Sequence, residues 1–253
     1  MSDTGHTVTI EAGVTQTTGS GGKFGEGYTF GSYASNHYMT IPDHDDFNLA
    51  GGNFTIEFWI KLTTASQHPY GNIFSHGNAS NQEHVLQIGD WDNPGDWNLD
   101  WFARGGLSSN MNVFVTSGDN QTGPLTVGNW HHVALVRNGD VFSIYLDGNF
   151  RQSDTKTGSI QNYTNDFHIG RRPFGSRGSI EGIIDDFRIT KGIARYTGTV
   201  QTDWGNFSEI DTAFATSVGG SVEPIVDFER LSISRRTPYY PEMITNGTME
   251  TGS

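Results

Sequence analysis

The segment Ser179–Gly198, SIEGIIDDFRITKGIARYTG, predicts a closing β-strand followed by a turn, and it is the most specific stretch of the chain. Successive side chains of a strand point to opposite faces, so we expect Asp185 to share a face with Phe187 and Ile189. A carboxylate among apolar groups must be hydrogen-bonded, paired with a cation or bound to a metal. Asp185 is therefore the candidate metal ligand, with an Asp held by backbone amides as the alternative.

The composition favours an all-β protein. Of 253 residues, 33 are glycine, and the charged fraction is only 17%, which is typical of short strands joined by tight turns. The 15 Lys and Arg against 28 Asp and Glu give a formal charge of −13. This charge argues against a nucleic-acid partner. The sequence contains no apolar run of 18 residues, so we expect no membrane insertion.

Two stretches predict the strands of a sandwich. In FTIEFWIKL (54–62), five apolar residues alternate with Thr55, Glu57, Trp59 and Lys61, as expected where one sheet packs on another. The segment WHHVALVRNGDVFSIYLDGNF (130–150) predicts a hairpin, because Asn-Gly favours a tight turn between antiparallel strands. Together they indicate a two-sheet antiparallel β-sandwich.

The order of these segments resembles the LamG-like jelly-roll family of the concanavalin A-like lectin/glucanase superfamily. The resemblance covers roughly residues 23–205 and includes YTFGSYASNHYMTIP (28–42) and the segment that begins IGRRPF at Ile169. It implies a glycan-binding or protein-binding module. It also implies a calcium (Ca²⁺) site in which Asp185 matches the acidic position, although Phe30-Gly31 stands where we would expect an early-loop Asp.

The predicted organisation has three parts. Residues 1–22 form an N-terminal arm and linker, because TQTTGSGG is rich in Ser, Thr and Gly. Residues 23–205 form the sandwich, and residues 206–253 form a C-terminal extension with one possible strand in IVDFERLSISRR. We expect neighbouring subunits of an assembly to hold both ends.

The segment GDWDNPGDWNLDWFARGG (89–106) is the candidate ligand-binding site. Sugars stack on aromatic rings while carboxylates and amides bind their hydroxyl groups. The candidate ligand-binding residues are Trp91, Asp92, Asn93, Trp97 and Trp101. The alternative is that Trp97, Leu99 and Trp101 share one strand face and fill the core, which leaves Trp91 as the exposed ring.

Catalytic motifs are absent from the sequence. The glucanases of the same superfamily need paired carboxylates, commonly as E-x-D-x-x-E, and no such motif occurs; Glu181 and Asp185 are four residues apart. G-x-S-x-G and cysteine are also absent. His68, His76 and His84 recur every eight residues without a zinc-site motif. We therefore expect a protein that is not an enzyme.

The ending DDFRITKGIARYTG also resembles segments of phage virion proteins. The sequence thus predicts a non-enzymatic, virion-associated binding subunit, either a decoration protein or a tail-fibre adhesion protein for host attachment, at a virion surface or extracellular. Its expected partners are a surface glycan or cell-surface protein and other virion subunits in an oligomeric assembly. The alternatives are a purely structural particle-stabilising protein and a glycoside hydrolase.

Overall fold

The computed structural model describes residues 6–11, 13–31, 37–64, 71–79, 82–89, 98–115, 125–173 and 178–198, and the backbone pairing of 226–227. The strands, in chain order, are β1 (Thr9–Ile10), β2 (Thr15–Gln16), β3 (Tyr28–Phe30), β4 (Met39–Ile41), β5 (Phe54–Leu62), β6 (Gly71–Ala79), β7 (Gln82–Ile88), β8 (Leu99–Arg104), β9 (Met111–Val115), β10 (Trp130–Asn138), β11 (Val141–Leu146), β12 (Asn149–Thr155), β13 (Phe167–Ile169), β14 (Gly182–Lys191) and β15 (Val226–Asp227). A 3-10 helix spans Asp45–Phe47. Across these ranges, no helix is long and apolar enough to cross a membrane.

The strands form two antiparallel sheets. The first, called the seven-stranded sheet, has the order β1-β4-β13-β6-β7-β8-β9. The second, called the β5 sheet, has the order β12-β11-β10-β5-β14-β3-β2, and β15 pairs with β14 beside this path. The predicted all-β, two-sheet sandwich is confirmed.

The core lies between the two sheets. On β5 the alternation predicted from FTIEFWIKL is confirmed, because its five apolar side chains are buried in the core. The rings of Phe58 and Phe187 stack 5.5 Å apart, and Phe187 also meets Phe74 of the opposite sheet edge-on at 6.3 Å. These contacts join both sheets into a single hydrophobic core.

The predicted hairpin is also confirmed. β10 and β11 pair antiparallel down to Asn138 and Val141, and Gly139 has a positive φ of 61°. Asn138 is the last residue of β10, so the two-residue turn is Gly139–Asp140 and not the predicted Asn138–Gly139. The second turn uses Asp147 and Gly148, both with positive φ, a conformation that Asp and Gly tolerate better than other residues. The tight turns therefore set the antiparallel order β10-β11-β12.

The faces of β14 differ from the prediction. Asp185 pairs with Trp59, whereas Arg188 pairs with Glu57, so two residues of β14 face one residue of β5. Asp186 has φ 51° at this β-bulge. Because the extra residue reverses the alternation, Asp185 lies on the outer face of the sheet, opposite to Phe187 in the core. The predicted shared face was wrong.

The described part of the predicted N-terminal arm belongs to the sandwich. β1 pairs with β4, β2 pairs with β3, and Val14 is buried in the core. The Thr17 hydroxyl accepts the Gly27 N–H at 2.8 Å, so TQTTGSGG continues a hairpin and is not a linker. In the predicted extension, β15 lies within the expected strand and pairs with Arg188 and Ile189. The rest of 206–253 lies outside the described residues.

Candidate ligand-binding row on the seven-stranded sheet

Four neighbouring strands of the seven-stranded sheet end together. Gly71, Ile88, Leu99 and Val115 are paired side by side across β6, β7, β8 and β9. Three connecting segments of the chain, residues 65–70, 90–97 and 116–124, join strands at this end. We call it the loop end of the sheet. In a sandwich, binding residues are commonly carried by segments that a rigid sheet positions.

Most of the predicted ligand-binding residues lie in one of these segments. The Gly89 N–H donates to the Asn98 carbonyl at 3.0 Å and thus closes the connection between β7 and β8. Trp91, Asp92, Asn93 and Trp97 lie between these two residues and outside the described part of the chain. Their role in binding stays a prediction, but the strands fix where the segment starts and ends.

One row of residues further into the sheet, polar and aromatic side chains adjoin one another. In register across β6 to β9, this row consists of Asn72, Gln87, Asp100 and Phe114, and we call it the polar row. The neighbours of the last three along their strands belong to the core. Because side chains alternate, Gln87, Asp100 and Phe114 point to the outer face.

The polar row combines hydrogen-bonding groups with an exposed ring. The Gln87 amide donates to the Asp100 carboxylate at 2.9 Å, and Phe114 is 37% exposed. The Asn72 amide nitrogen donates to the Gly178 carbonyl at 2.7 Å. No donor among the residues that the structure describes reaches the buried Asn72 Oδ1. Carboxylate and amide oxygens beside an aromatic ring are suited to hydroxyl-bearing ligands such as sugars.

Trp101 was predicted to bind a ligand, but it does not lie at a surface where it could do so. It is fully buried, its indole N–H donates to His84 Nε2 at 2.7 Å, and its ring contacts Phe54 and Phe142 of the β5 sheet. A ligand could not reach it without opening the core. Trp101 therefore packs in the core, which was the alternative prediction for this residue. Because Trp101 points into the core from β8, its neighbour Asp100 points outward.

An ion-pair cluster covers the outer face further from the loop end. Arg172 donates from Nε to Glu83 Oε2 at 2.7 Å and from Nη2 to the other carboxylate oxygen. Arg104 adds a bond to Glu83 at 3.2 Å, and Phe102 lies under both guanidinium groups at 4.6 and 5.4 Å. Glu83 and Arg172 are buried, so this cluster anchors the chain after β13. In the polar row, Asn72 and Gln87 are also buried and Asp100 is half-buried, so Phe114 is its exposed member.

The outer face of the β5 sheet is closed by a second buried cluster. Glu57 accepts from Arg188 Nη2 at 2.6 Å and from the Tyr196 hydroxyl at 2.7 Å, and Arg195 lies 3.3 Å away. Burial alone would raise the pKa of Glu57, but the hydrogen bond with His132 and the arginine charges outweigh it and lower the pKa to about 2. A carboxyl group with this pKa is ionised at neutral pH and is a poor proton donor for catalysis.

The segment 192–198, which we call the cover segment, lies over this cluster. Tyr196 packs against the apolar group of Ala134, Val136 and Tyr145, and the Tyr145 hydroxyl donates to the Gly198 carbonyl at 2.7 Å. Thr55 donates its hydroxyl to the Ile193 carbonyl at 3.0 Å. The middle of this face is therefore occupied by the chain itself.

Asp185 holds a second loop on the same face. Its Oδ2 accepts the backbone N–H groups of Lys23 and Phe24 at 2.7 and 3.0 Å, and its Oδ1 accepts the Asp186 N–H at 2.8 Å. Lys23 and Phe24 then cover Trp59, with the ammonium 4.1 Å from the indole ring. Burial raises the pKa of Asp185, although these amides oppose the shift.

These contacts test whether Asp185 fits a calcium site. Calcium requires several oxygen ligands around one point. The described groups that face the Asp185 carboxylate are N–H donors, whose positive ends would repel a cation. The donor set therefore does not fit calcium, and it matches the alternative of an Asp satisfied by backbone amides.

Sequence reasoning missed the polar row. The sequence did contain a signal that Phe114 points outward, because it alternates with the apolar residues Met111, Val113 and Val115. The row itself depends on the cross-strand register, which the residue pattern of one strand does not contain.

Comparisons with known proteins agree with this architecture. A family model described as the concanavalin A-like lectin/glucanases superfamily matches residues 33–194. Because this match spans more than half of the chain, the protein belongs to that superfamily. A search of curated proteins finds no match.

Solved structures with the same fold include two toxin binding domains and one domain of an arabinanase. The botulinum neurotoxin serotype G binding domain has a TM-score of 0.58 at 13% identity and covers 83% of this chain and 46% of its own. The binding domain of Paraclostridial Mosquitocidal Protein 1 has a TM-score of 0.57 at 15% identity and covers 81% and 46%. Domain 4 of AbnA, an arabinanase of Geobacillus stearothermophilus, in complex with arabinotriose, has a TM-score of 0.50 at 16% identity and covers 75% and 83%. This chain thus spans about half the length of the first two, and the likeness shows the fold.

Proposed function

We propose that this protein is a non-enzymatic carbohydrate-binding module whose site comprises the polar row and the adjoining segment 90–97. The observation that carries the proposal is the polar row itself. It places the exposed Phe114 ring beside Asp100 near the loop end, with the buried Gln87 amide holding the Asp100 carboxylate from the other side. The ring would stack on the apolar face of a sugar, and the carboxylate would bind its hydroxyl groups.

The surroundings of the row support this assignment. Segment 90–97, which connects the paired residues Ile88 and Leu99 through the chain, contains Trp91, Asp92, Asn93 and Trp97. The alternative surface on the β5 sheet is occupied by the cover segment. A domain of the same fold has been solved in complex with arabinotriose, so the architecture is compatible with an oligosaccharide ligand.

A glycan array followed by calorimetry with the best oligosaccharide tests the proposal. Asp100→Ala and Phe114→Thr should each weaken binding about tenfold or more, because each removes a group worth about 1.5 kcal/mol in contact with the ligand. Trp91→Ala tests the segment 90–97 in the same assay. Ile10→Thr is the matched control, since Ile10 is an exposed apolar side chain, 45% exposed, at the opposite edge of the same sheet.

The same assays separate the competing functions. A structural protein would give no glycan signal, and equal binding by Phe114→Thr and wild type would place the ligand elsewhere. A glycoside hydrolase would release reducing sugar from a polysaccharide panel. We expect no release, because Glu57 is held by arginines and Asp185 by amides.

We further propose that the module is a decoration or tail adhesion subunit at a virion surface. This role is supported by the resemblance of DDFRITKGIARYTG to phage virion segments. Mass spectrometry of purified particles should detect the chain in stoichiometric amount, and antibodies against it should block adsorption to host cells. Its absence from the particles would overturn the virion role without affecting the carbohydrate-binding proposal.

A further inference from the structure

Two histidines and an aspartate converge at the other end of the seven-stranded sheet, on the β1 edge. His6 Nε2 lies 2.9 Å from Asp46 Oδ2, and His44 Nδ1 lies 3.1 Å from the same oxygen. One ligand atom from each of the three residues lies within 4.8 Å of the other two. Around a tetrahedral ion with bonds of about 2.0 Å, ligand atoms are about 3.3 Å apart, which is close to the two distances observed.

The fold explains why residues 38 positions apart meet. β1 and β4 pair antiparallel with Thr9 opposite Thr40, so the residues before β1 run beside those after β4. His44 caps the 3-10 helix, and its Nδ1 accepts the Asp46 N–H at 3.2 Å. The His6 ring is held by Phe47 at 5.3 Å and by the His44 ring at 4.7 Å. Strand pairing, the helix cap and ring packing therefore hold the three side chains in place.

Distance and charge favour a cation at this cluster. The Asp46 carboxylate oxygen lies 2.9 Å from a nitrogen of His6 and 3.1 Å from Nδ1 of His44. A bound ion would take the Nδ1 lone pair in place of the Asp46 N–H, whose bond to Nδ1 is long at 3.2 Å. The overall charge of −13 also favours a cation.

We propose that His6, His44 and Asp46 bind a divalent transition metal, with Zn²⁺ the best fit to two imidazoles and one carboxylate. Calcium and magnesium prefer sets of oxygen ligands and suit this cluster poorly. The side chains are 10%, 55% and 43% exposed for His6, His44 and Asp46, so the ion is accessible from solvent and its fourth position takes water. The ion would clamp the segment before β1 onto the loop after β4 and so secure the edge of the sheet.

Calorimetry with Zn²⁺ on the full chain tests the site. Wild type should bind about one ion per chain, and His6→Ala and Asp46→Asn should each weaken binding by at least about tenfold, the loss that follows even from removing an outer-shell partner. His131→Ala is the matched control. His131 also contacts a carboxylate, Asp147 at 2.7 Å, but among the described residues this pair has no third metal-ligating group beside it. Its variant should bind Zn²⁺ like wild type.

A second measurement keeps the test independent of how the variants fold. In ¹⁵N NMR spectra of the wild-type chain, the ring nitrogens of His6 and His44 should shift on addition of one equivalent of Zn²⁺, while those of His131 stay unchanged. Failure of wild type to bind, equal binding by His6→Ala, or shifts confined to other histidines would each overturn the site. Circular dichroism of each variant confirms that a loss of binding is not a loss of fold.

Discussion

The outer faces of the two sheets differ in what covers them. On the β5 sheet, the cover segment lies over Glu57, which two arginines and Tyr196 hold in a buried cluster. On the seven-stranded sheet, the described chain after β13 contacts Glu83 through Arg172 and Asn72 through Gly178. The polar row next to the loop end keeps an exposed ring at Phe114.

This difference separates stability from binding. Buried, fully paired charges are costly to disturb because removing one partner leaves the other charge unpaired in a low-dielectric site. Exposed side chains on a strand contribute little to folding and are available to a ligand. We therefore expect substitutions on the β5 face to change the free energy of unfolding, and substitutions at the exposed Phe114 of the polar row to change binding.

The largest effect is expected at Glu57. Glu57→Gln removes the negative charge that Arg188 and Arg195 share and should lower the free energy of unfolding by about 3–5 kcal/mol, measured by urea denaturation. The control is Asp140→Asn, which removes an exposed carboxylate 3.8 Å from Arg137 and should cost at most about 1 kcal/mol. Equal losses in the two variants would contradict the contrast between a buried and an exposed pair.

The sequence predicted those features of the two faces that follow from the residue pattern of a single strand or turn. Alternation in FTIEFWIKL places Glu57 and Trp59 away from the core, and Asn-Gly predicts the hairpin. It could not predict that Arg188 would face Glu57, because this contact requires the bulge at Asp186, which reverses the faces of β14. The polar row was missed for a related reason, since the register of four strands brings together residues up to 42 positions apart.

Acid should weaken the core between the sheets before it affects the Glu57 cluster. Burial, with a smaller effect of nearby His76, lowers the pKa of His84 to about 3, from an ordinary 6.5. Below pH 6.5 the unfolded chain binds a proton that the folded chain excludes, so stability falls as the pH drops from 6.5 toward 3, by up to about 1.4 kcal/mol per pH unit. The Glu57 contribution is complete above its ordinary value of 4.5 and is lost between 4.5 and about 2.

Urea denaturation between pH 7 and pH 5 checks this order. His84→Gln keeps an acceptor for the Trp101 indole N–H but does not titrate, so its stability should depend less on pH in this window. Glu57→Gln should keep the wild-type dependence there, because Glu57 titrates only at lower pH. A pH dependence that is unchanged in His84→Gln would rule out the buried neutral histidine as its source.

Asp185→Ala should cost about 2 kcal/mol. It leaves the backbone N–H groups of Lys23, Phe24 and Asp186 without their acceptor, and a buried donor without a partner is destabilising by about 1–3 kcal/mol. Proteolysis should also become faster near Lys23, because the loop over Trp59 loses its anchor. If Asp185 instead held calcium, adding Ca²⁺ to EDTA-treated protein would raise the melting temperature of wild type and not of the variant, whereas an amide anchor predicts no effect of Ca²⁺ on either.

Two variants with small effects on stability, one on each sheet, give the most direct comparison of the two faces. Tyr196→Phe removes one hydrogen bond to Glu57 and should cost about 1–1.5 kcal/mol, with glycan binding unchanged because the cover segment lies on the opposite sheet. Phe114→Thr keeps a β-branched side chain on an exposed strand position, so its stability should stay within about 0.5 kcal/mol of wild type while glycan binding falls. Measuring the unfolding free energy and the glycan affinity of both variants gives opposite patterns if the two faces have separate roles. A loss of binding in Tyr196→Phe, or a large loss of stability in Phe114→Thr, would show that the faces are coupled through the core between them.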